Sequence, residues 1–201
     1  MTQTKAVLGV ILAGGQSTRM GGGLKPLLKL GGRRILDHVL ERLKPQVDHI
    51  AINANQADPE LISYNLPLLP DLMAGHLGPL AGVHAALTWG ESLGLSHVLT
   101  VAGDTPFFPE DIYAELEKGR KDQAIAMAAT GAGPKDWHPT FALWPTSAHQ
   151  ALSDALQTGT RKVMAFSEAL GTSRVIFEQS DPFFNINRPE DLIEARKRLE
   201  P

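Results

Sequence analysis

A glycine-rich loop with two cations lies close to the N-terminus. Residues 12–25 read LAGGQSTRMGGGLK and hold five glycines, together with Arg19 and Lys25. Glycines let a backbone approach a ligand closely and leave its N–H groups unobstructed, and cations beside them favour an anion. The stretch therefore predicts a cradle for phosphate groups or for the edge of a base. A flexible connection between two elements is the alternative for such a loop taken by itself.

Two familiar nucleotide-binding motifs are absent from this loop. The P-loop requires Ser or Thr directly after its lysine, but Lys25 is followed by Pro26. The GxGxxG fingerprint of dinucleotide-binding folds is absent too, because the loop reads GGQSTRMGGG. A P-loop NTPase and a hydride-transferring enzyme are therefore disfavoured.

Two aspartates follow apolar runs further along the chain. Asp104 lies in AGDTPFF and Asp71 lies in LPDLMAGHLGPLAG. A carboxylate together with phosphate oxygens is a common ligand set of Mg²⁺, with water at the remaining positions. Asp104 is thus a candidate Mg²⁺ ligand and Asp71 a candidate ligand contact, although each could serve only in a turn. The loop Gly75–Gly82 leads into a helix with Pro79 in its first turn, and helix N-termini favour anions.

Other catalytic constellations are missing from the sequence. The chain has no cysteine, which excludes disulfides, thiolate nucleophiles and cysteine-based zinc sites. Its seven histidines form no HxxxH or HExxH pair, so a histidine-based zinc site is not expected. No serine lies in a GxSxG elbow, which leaves an α/β-hydrolase without support. His138, in DWHPTFALW, is predicted to pack at a strand edge.

Length, composition and charge restrict the function further. The chain has 201 residues, of which 43% are hydrophobic, so we expect a single domain over residues 1–201 with a full core. The formal net charge of −3 disfavours a general nucleic-acid binder. No stretch approaches the roughly 20 apolar residues of a membrane span, and no signal-peptide pattern is present. We expect a soluble, cytoplasmic protein that binds neither nucleic acid nor membranes.

The segments that must position these residues alternate between strand and helix patterns. Strands are predicted at residues 6–12, 47–55, 66–70 and 97–104, and at QAIAMAAT and TFALW. Helices are predicted over residues 35–43 and 78–94, from Pro109 to about Lys118, and from Pro189 to Arg198. Such alternation is typical of a parallel, doubly wound α/β sheet.

In sheets of this kind, ligands bind beyond the carboxyl ends of the strands. This rule selects four places along the chain. They are the loop after Leu12, the pair Asn53 and Asn55, Asp71 with its loop, and Asp104. The polar side chains at these places are therefore expected to converge on one ligand.

Taken together, these segments resemble one enzyme family. LAGGQSTRMGGGLKPL resembles the signature loop LAGG-x-S-x-R-M-G-x-x-K of nucleotidyltransferases. INAN, LPDLMAGHLGPLAG, GDTPF, HPTFALW, TRKVMAF and FNINRPEDL resemble the molybdenum cofactor guanylyltransferases within them, the MobA family. The likeness runs from about residue 7 to residue 195, with the motifs in the family's order. It implies a Rossmann-like three-layer α/β/α sandwich with a mostly parallel sheet, as in nucleotide-diphospho-sugar transferases.

The resemblance also implies an activity. Members of the family transfer GMP from GTP to the phosphate of molybdenum-molybdopterin, which yields molybdenum-molybdopterin guanine dinucleotide and pyrophosphate. GTP and molybdenum-molybdopterin are thus the expected substrates, and Mg²⁺ is the expected cofactor. Molybdenum-inserting proteins and acceptor proteins are the expected transient partners, and the chain is expected to be a monomer.

Particular residues acquire roles when the resemblance is carried over position by position. The expected catalytic residues are Arg19, Lys25 and Asp104, and Asp104 is also the expected Mg²⁺ ligand. The residues expected to contact GTP are Leu12, Ala13, Gly14, Lys25, Asn53, Asp71 and Asp104. The residues expected toward the pterin are Gly82, Arg161, Lys162, Asn185 and Asn187. The chain departs from the family at Leu24, where members often carry an acidic residue.

Selection of guanine must come from hydrogen bonds to the edge of the base. Backbone groups of residues 12–14 are suitable, and so is the Asn53 amide, which offers both donors and an acceptor. A base that leaves such groups unpaired can be rejected by a large factor.

Two other functions are compatible with the motifs. A sibling transferase would use CTP to make the cytosine dinucleotide, or would make a nucleotide sugar. A non-catalytic module would bind a nucleotide or pterin and deliver it to a partner without releasing pyrophosphate. HPTFALW, TRKVMAF and NINRP favour the guanine enzyme, and the set Arg19, Lys25 and Asp104 favours catalysis over binding alone.

Overall fold

A mostly parallel β-sheet forms the centre of the computed structural model, which describes residues 6–14, 23–75, 77–179 and 181–199. The strands of this sheet are β1 (Leu8–Leu12), β4 (His49–Asn53), β5 (Leu68–Leu69), β6 (His97–Ala102), β7 (Ile125–Ala129), β8 (Trp137–Pro145) and β9 (Thr172–Ile176). Their order across the sheet is β5-β4-β1-β6-β8-β7-β9. A small antiparallel ribbon of β2 (Lys29–Leu30) and β3 (Arg33–Arg34) lies apart from it.

Strand β8 runs opposite to its neighbours β6 and β7, whereas the other pairs of adjacent strands in this sheet are parallel. Only residues 130–136 connect β7 to β8, and so short a connection can join antiparallel strands but not parallel ones. Leu12 is in register with Asn53 on one side and with Ala102 on the other. The expected mostly parallel sheet is confirmed, and three strand ends meet at one edge.

Helices lie on both faces of this sheet. They are α1 (Ile35–Leu43), α2 (Pro59–Ile62), α3 (Pro79–Ser92), α4 (Ile112–Arg120), α5 (His149–Gln157), α6 (Val163–Leu170) and α7 (Pro189–Lys197). The predicted helix from Pro109 begins only at Ile112, with Asp111 as its N-cap. No helix in the described ranges is long and apolar enough to cross a membrane.

Two apolar clusters, one on each face, make up the core. The first packs α1, α4 and α7 against the sheet, and the second packs α3, α5 and α6 against it. Val7, just before β1, and Ile11 within it belong to the first cluster, whereas Leu8 and Val10 belong to the second. This alternation is the period of two that a strand imposes on its side chains. The expected three-layer α/β/α arrangement is therefore confirmed.

One buried histidine makes the stability of the fold sensitive to acid. His84 in α3 is 6% exposed, and its Nδ1 atom has no hydrogen-bond partner among the described residues. Burial lowers the pKa of His84, and the charge of nearby His149 lowers it further. Burial also lowers the pKa of His138. Both side chains thus resist the proton that they accept freely in the unfolded chain.

We expect the free energy of unfolding to decrease as the pH falls below about 6.5, because only the unfolded chain then readily protonates these histidines. Replacing His84 with leucine is expected to reduce this dependence. Urea unfolding at about pH 7.5 and about pH 5.5 measures it. The matched control is His49→Gln, because His49 is exposed and its replacement should leave the dependence as it is. An equal loss of stability on acidification in the parent chain and His84→Leu would contradict this expectation.

Candidate active site

A cavity of about 430 Å³ lies at the carboxyl edge of the parallel strands. Its walls come from the ends of β1, β4 and β6, from the segment after β5, from the start of α3, and from β8. The lining includes five residues predicted to contact the nucleotide, namely Leu12, Gly14, Asn53, Asp71 and Asp104. A small recess beside it shares Leu12 and Asp104 and adds Ala13, Lys25 and Pro26. The structure thus brings together the described residues that the sequence assigned to GTP.

Lys25 and Asp104 form an ion pair at this edge. The Lys25 Nζ atom lies 3.2 Å from Asp104 Oδ2 and donates a second hydrogen bond of 2.5 Å to Asn187 Oδ1. The two charged side chains are only 16% and 19% exposed. A cation and an anion are therefore held, with little water around them, next to the cavity.

The chain packs closely around Gly103, beside this ion pair. A Cβ atom on Gly103 would lie 2.9 Å from Pro26 Cγ and 3.2 Å from the Leu12 carbonyl oxygen. The Gly103 N–H donates to that same oxygen at 3.0 Å, and the Asp104 carbonyl accepts from the Ile186 N–H at 2.9 Å. Glycine before Asp104 thus allows the turn that carries Lys25 to pack on the end of β6.

Burial raises the pKa of Asp104, and the charge and hydrogen bond of Lys25 only partly offset that effect. Burial removes water from this carboxylate but gives it few protein hydrogen bonds in return. Its Oδ1 atom accepts one long hydrogen bond, 3.4 Å, from Thr105. A second cation near Asp104 would therefore be favourable.

A divalent metal would have to bind here with few protein ligands. No group of three or more His, Asp or Glu side chains in the described ranges could hold a metal ion. Mg²⁺ is commonly bound by one or two carboxylates together with substrate phosphates and water. Asp104, which is partly exposed and lines the cavity, fits a metal ion that shares its coordination with a triphosphate.

Three polar side chains form a hydrogen-bonded cluster on another wall of the cavity. The Asn53 amide donates to the Leu69 carbonyl oxygen at 2.9 Å and to Asp71 Oδ1 at 3.0 Å. The Asn55 amide donates to Asp71 Oδ2 at 2.8 Å, and Asn55 Oδ1 accepts from the Asp71 N–H at 2.7 Å. Both N–H groups of Asn53 are therefore used within the protein and are not left for a ligand.

Gly82 lies beneath Asn53 and does not line the cavity. This glycine is buried in α3, where an added Cβ would lie 2.3 Å from Asn53 Oδ1 and 2.8 Å from its Cγ. Asn53 is itself only 4% exposed and is held by its two hydrogen bonds, so it has no room to move away. Gly82 therefore packs directly beneath the Asn53 side chain. The predicted role of Gly82 toward the pterin stays a prediction.

Gly82→Ala is expected to lower the stability by about 1–3 kcal/mol and to weaken GTP binding, because the methyl group displaces Asn53 and, through it, Asp71. Thermal unfolding and nucleotide titration measure the two effects. Gly90→Ala is the matched control, because Gly90 also lies in α3 but away from the cavity. A Cβ at Gly90 would lie 2.8 Å from Val98. We expect Gly90→Ala to lose stability but to retain GTP affinity. Unchanged GTP affinity in Gly82→Ala would contradict the expectation.

The residues predicted on the pterin side have different surroundings. Asn185 lines the cavity, whereas Asn187 holds Lys25. The Arg161 guanidinium donates to the Leu156 and Thr160 carbonyl oxygens, each at 2.8 Å, and so caps the end of α5. Lys162 is exposed at the start of α6. The roles of these residues toward a pterin stay predictions.

The middle of the glycine-rich loop, residues 15–22 with Arg19, lies outside the described residues. The position before the loop lysine is described, and Leu24 there is 8% exposed within the first apolar cluster. In this chain that position is part of the core and supplies no carboxylate.

Thr140, which lines the cavity from β8, was not predicted as a site residue. The rule that selects carboxyl ends of strands cannot find it, because antiparallel β8 brings its first half to this edge. The motif HPTFALW includes Thr140, but the sequence alone does not give its direction in the sheet.

Comparisons with known proteins agree on one family. The model of the MobA-like NTP transferase domain matches residues 9–173. A molybdenum cofactor guanylyltransferase of Mesorhizobium japonicum is 45% identical over an alignment that covers 96% of this chain and 96% of its own. The protein of the same name from a Bradyrhizobium strain is 39% identical and is matched over 96% of this chain and 93% of its own.

Solved structures share the fold. Molybdopterin-guanine dinucleotide biosynthesis protein A from Archaeoglobus fulgidus superimposes with a TM-score of 0.76 at 25% identity, covering 96% of this chain and 97% of its own. A 4-diphosphocytidyl-2C-methyl-D-erythritol synthase from Anaerococcus prevotii gives a TM-score of 0.74 at 17% identity, with coverage of 98% and 97%. The second similarity concerns the fold alone.

Proposed function

Because the chain belongs to the MobA-like NTP transferase family, we propose that it transfers GMP from GTP to the phosphate of molybdenum-molybdopterin and releases pyrophosphate. One structural observation supports this most strongly. Lys25, Asp104 and Asp71, which lie far apart in the sequence, border one cavity and the recess joined to it. We also infer that residues 1–201 form a single nucleotidyltransferase domain, since one sheet includes strands from Leu8 to Ile176.

Both substrates are anions, so the site must offset their repulsion. Two unit charges 4 Å apart repel by about 1 kcal/mol in water and by about 4 kcal/mol at an effective dielectric constant near 20. Lys25 would bind phosphate oxygens of the triphosphate, and Arg19 is proposed as a second cation. Asp104 would hold Mg²⁺, which supplies neutralisation of the triphosphate and of the departing pyrophosphate.

The proposed reaction needs no strong general base. An oxygen of the acceptor phosphate forms a bond to the α-phosphorus of GTP, while the bond from that phosphorus to the α,β-bridging oxygen breaks. A phosphate monoester has its second pKa near 6, so the acceptor is already ionised at neutral pH. Catalysis then consists of aligning the two substrates and stabilising the charge that develops on the leaving group.

Molybdenum-molybdopterin would enter beside Asn185, with Lys162 and the segment around Asn187 as further contacts. Asn185 supports this placement because it lines the cavity and precedes Ile186, whose N–H donates to the Asp104 carbonyl oxygen. The Asn187 contact with Lys25 would link the pterin side to the triphosphate side.

Product analysis with a panel of nucleotides tests the proposed function. The chain is incubated with Mg²⁺, molybdenum-molybdopterin and GTP, CTP, ATP or UTP in turn, and the products are identified by mass. We expect the guanine dinucleotide and pyrophosphate with GTP only. A cytosine dinucleotide would identify the CTP-using sibling, and nucleotide binding without pyrophosphate release would identify a non-catalytic module.

A further inference from the structure

The Asp71 carboxylate is held by amide groups on both of its oxygens. Asn53 donates to Oδ1 at 3.0 Å and Asn55 donates to Oδ2 at 2.8 Å. The Asp71 N–H in turn donates to Asn55 Oδ1 at 2.7 Å, so Asn55 and Asp71 form a reciprocal pair. Hydrogen bonds to both oxygens fix the orientation of this carboxylate relative to the cavity that it lines.

The cluster retains hydrogen-bond acceptors but few donors. An ionised carboxylate can accept about four hydrogen bonds, and the structure uses one on each oxygen. Each Asp71 oxygen therefore retains a lone pair, whereas Asn53 has no N–H left to donate. The cluster is thus an acceptor pair, complementary to a ligand with two neighbouring N–H donors.

Guanine is the common nucleobase with that pattern at neutral pH. Its ring N1–H and its 2-amino group lie side by side, whereas adenine and cytosine place ring acceptors beside a single amino group. We propose that Asn55 is a positioning residue that orients the Asp71 carboxylate so that it accepts both donors of guanine. This inference rests on the proposed use of GTP and adds the residue that sets the preference for its base.

Removing the Asn55 side chain would let the Asp71 carboxylate turn, but it would leave the cavity wall in place. Asn55 is exposed, whereas Asn53 is buried against Gly82 and remains bonded to Leu69. Without Asn55, one hydrogen bond to Oδ1 would remain, and a half-exposed carboxylate can rotate about it. Two acceptors would then no longer face the base together.

Titration with GTP and with inosine triphosphate tests this assignment, because inosine differs from guanosine only by lacking the 2-amino group. We expect the parent chain to bind GTP at least about tenfold more tightly than inosine triphosphate. In Asn55→Ala, GTP binding should weaken about tenfold and this ratio should fall to about two or less. Gln56→Ala, at the neighbouring exposed position, should keep the parent ratio.

Asn55→Asp separates positioning from a role in loop structure. An ionised aspartate keeps the size of Asn55 and can still accept from the Asp71 N–H, but it cannot donate to Asp71 Oδ2 and repels that carboxylate. We expect it to lose the GTP preference as Asn55→Ala does. Equal weakening of both nucleotides in Asn55→Ala, or a parent ratio in Asn55→Asp, would overturn the assignment.

The outcome is distinguishable from a failure of the proposed function. A parent chain that makes the guanine dinucleotide but binds both nucleotides equally would overturn the inference alone. A parent chain that prefers GTP in the titration yet forms no dinucleotide would overturn the proposed function and leave Asn55 in its role.

Discussion

Asp104→Asn is expected to lower kcat about 100- to 1,000-fold while the chain remains folded. The substitution keeps the size of the side chain but removes the charge that would hold Mg²⁺ against the triphosphate. It also removes the anion that faces Lys25 at 3.2 Å. Pyrophosphate release at saturating GTP and molybdenum-molybdopterin measures the effect.

The thermal stability of Asp104→Asn shows whether the variant is folded. Burial raises the pKa of Asp104, so the folded chain binds this proton more tightly than the unfolded chain does. Its ionised form therefore costs stability at neutral pH, a cost that a neutral asparagine avoids. We expect Asp104→Asn to unfold at a temperature no lower than the parent chain. Asp111→Asn, on an exposed aspartate at the start of α4, is the control and should keep the parent kcat. A parent rate in Asp104→Asn would remove Asp104 from the mechanism.

Lys25→Met is expected to lower kcat/KM for GTP about 10- to 100-fold, because hydrogen bonds to a charged group are worth about 1.5–3 kcal/mol each. Methionine keeps the length of the side chain but has no charge to offer the triphosphate. It also leaves Asp104 without the ion pair and Asn187 without its donor. Initial rates over a range of GTP concentrations measure the change.

Lys29→Met is the matched control, since Lys29 is an exposed lysine four residues further on, in β2. We expect this control to keep the parent kcat/KM. If Lys25→Met matched the parent chain in both GTP affinity and rate, Lys25 would not bind the triphosphate.

Local patterns predicted the elements with strong apolar periodicity. In α1, the residues at helical spacing, Ile35, Leu36, Val39, Leu40 and Leu43, are the ones that the fold buries. In contrast, α5, α6 and β9 were not predicted. Helix α5 buries only Leu152 and Leu156, and edge strand β9 reads TSRVI, with Val175 its only buried residue. Such segments take their structure from the sheet they pack against, which local sequence does not contain.

The edge at which the site lies followed from topology rather than from any one motif. Because β1, β4 and β6 are parallel and in register, residues at their ends must be neighbours, which brought Leu12, Asn53 and Asp104 together. The use of both Asn53 donors inside the protein could not be predicted, because it depends on where Leu69 and Asp71 lie. The contact of Lys25 with Asn187, 162 residues away, depends on tertiary packing in the same way.

Following two phosphorus labels through the reaction tests whether the chain transfers GMP from GTP to the pterin phosphate. The chain is given molybdenum-molybdopterin, Mg²⁺ and GTP that carries a radioactive phosphorus at either the α or the γ position. We expect the α label in the guanine dinucleotide and the γ label in pyrophosphate, in equal amounts. A γ label in inorganic phosphate or on the pterin, with no α label in a dinucleotide, would contradict it.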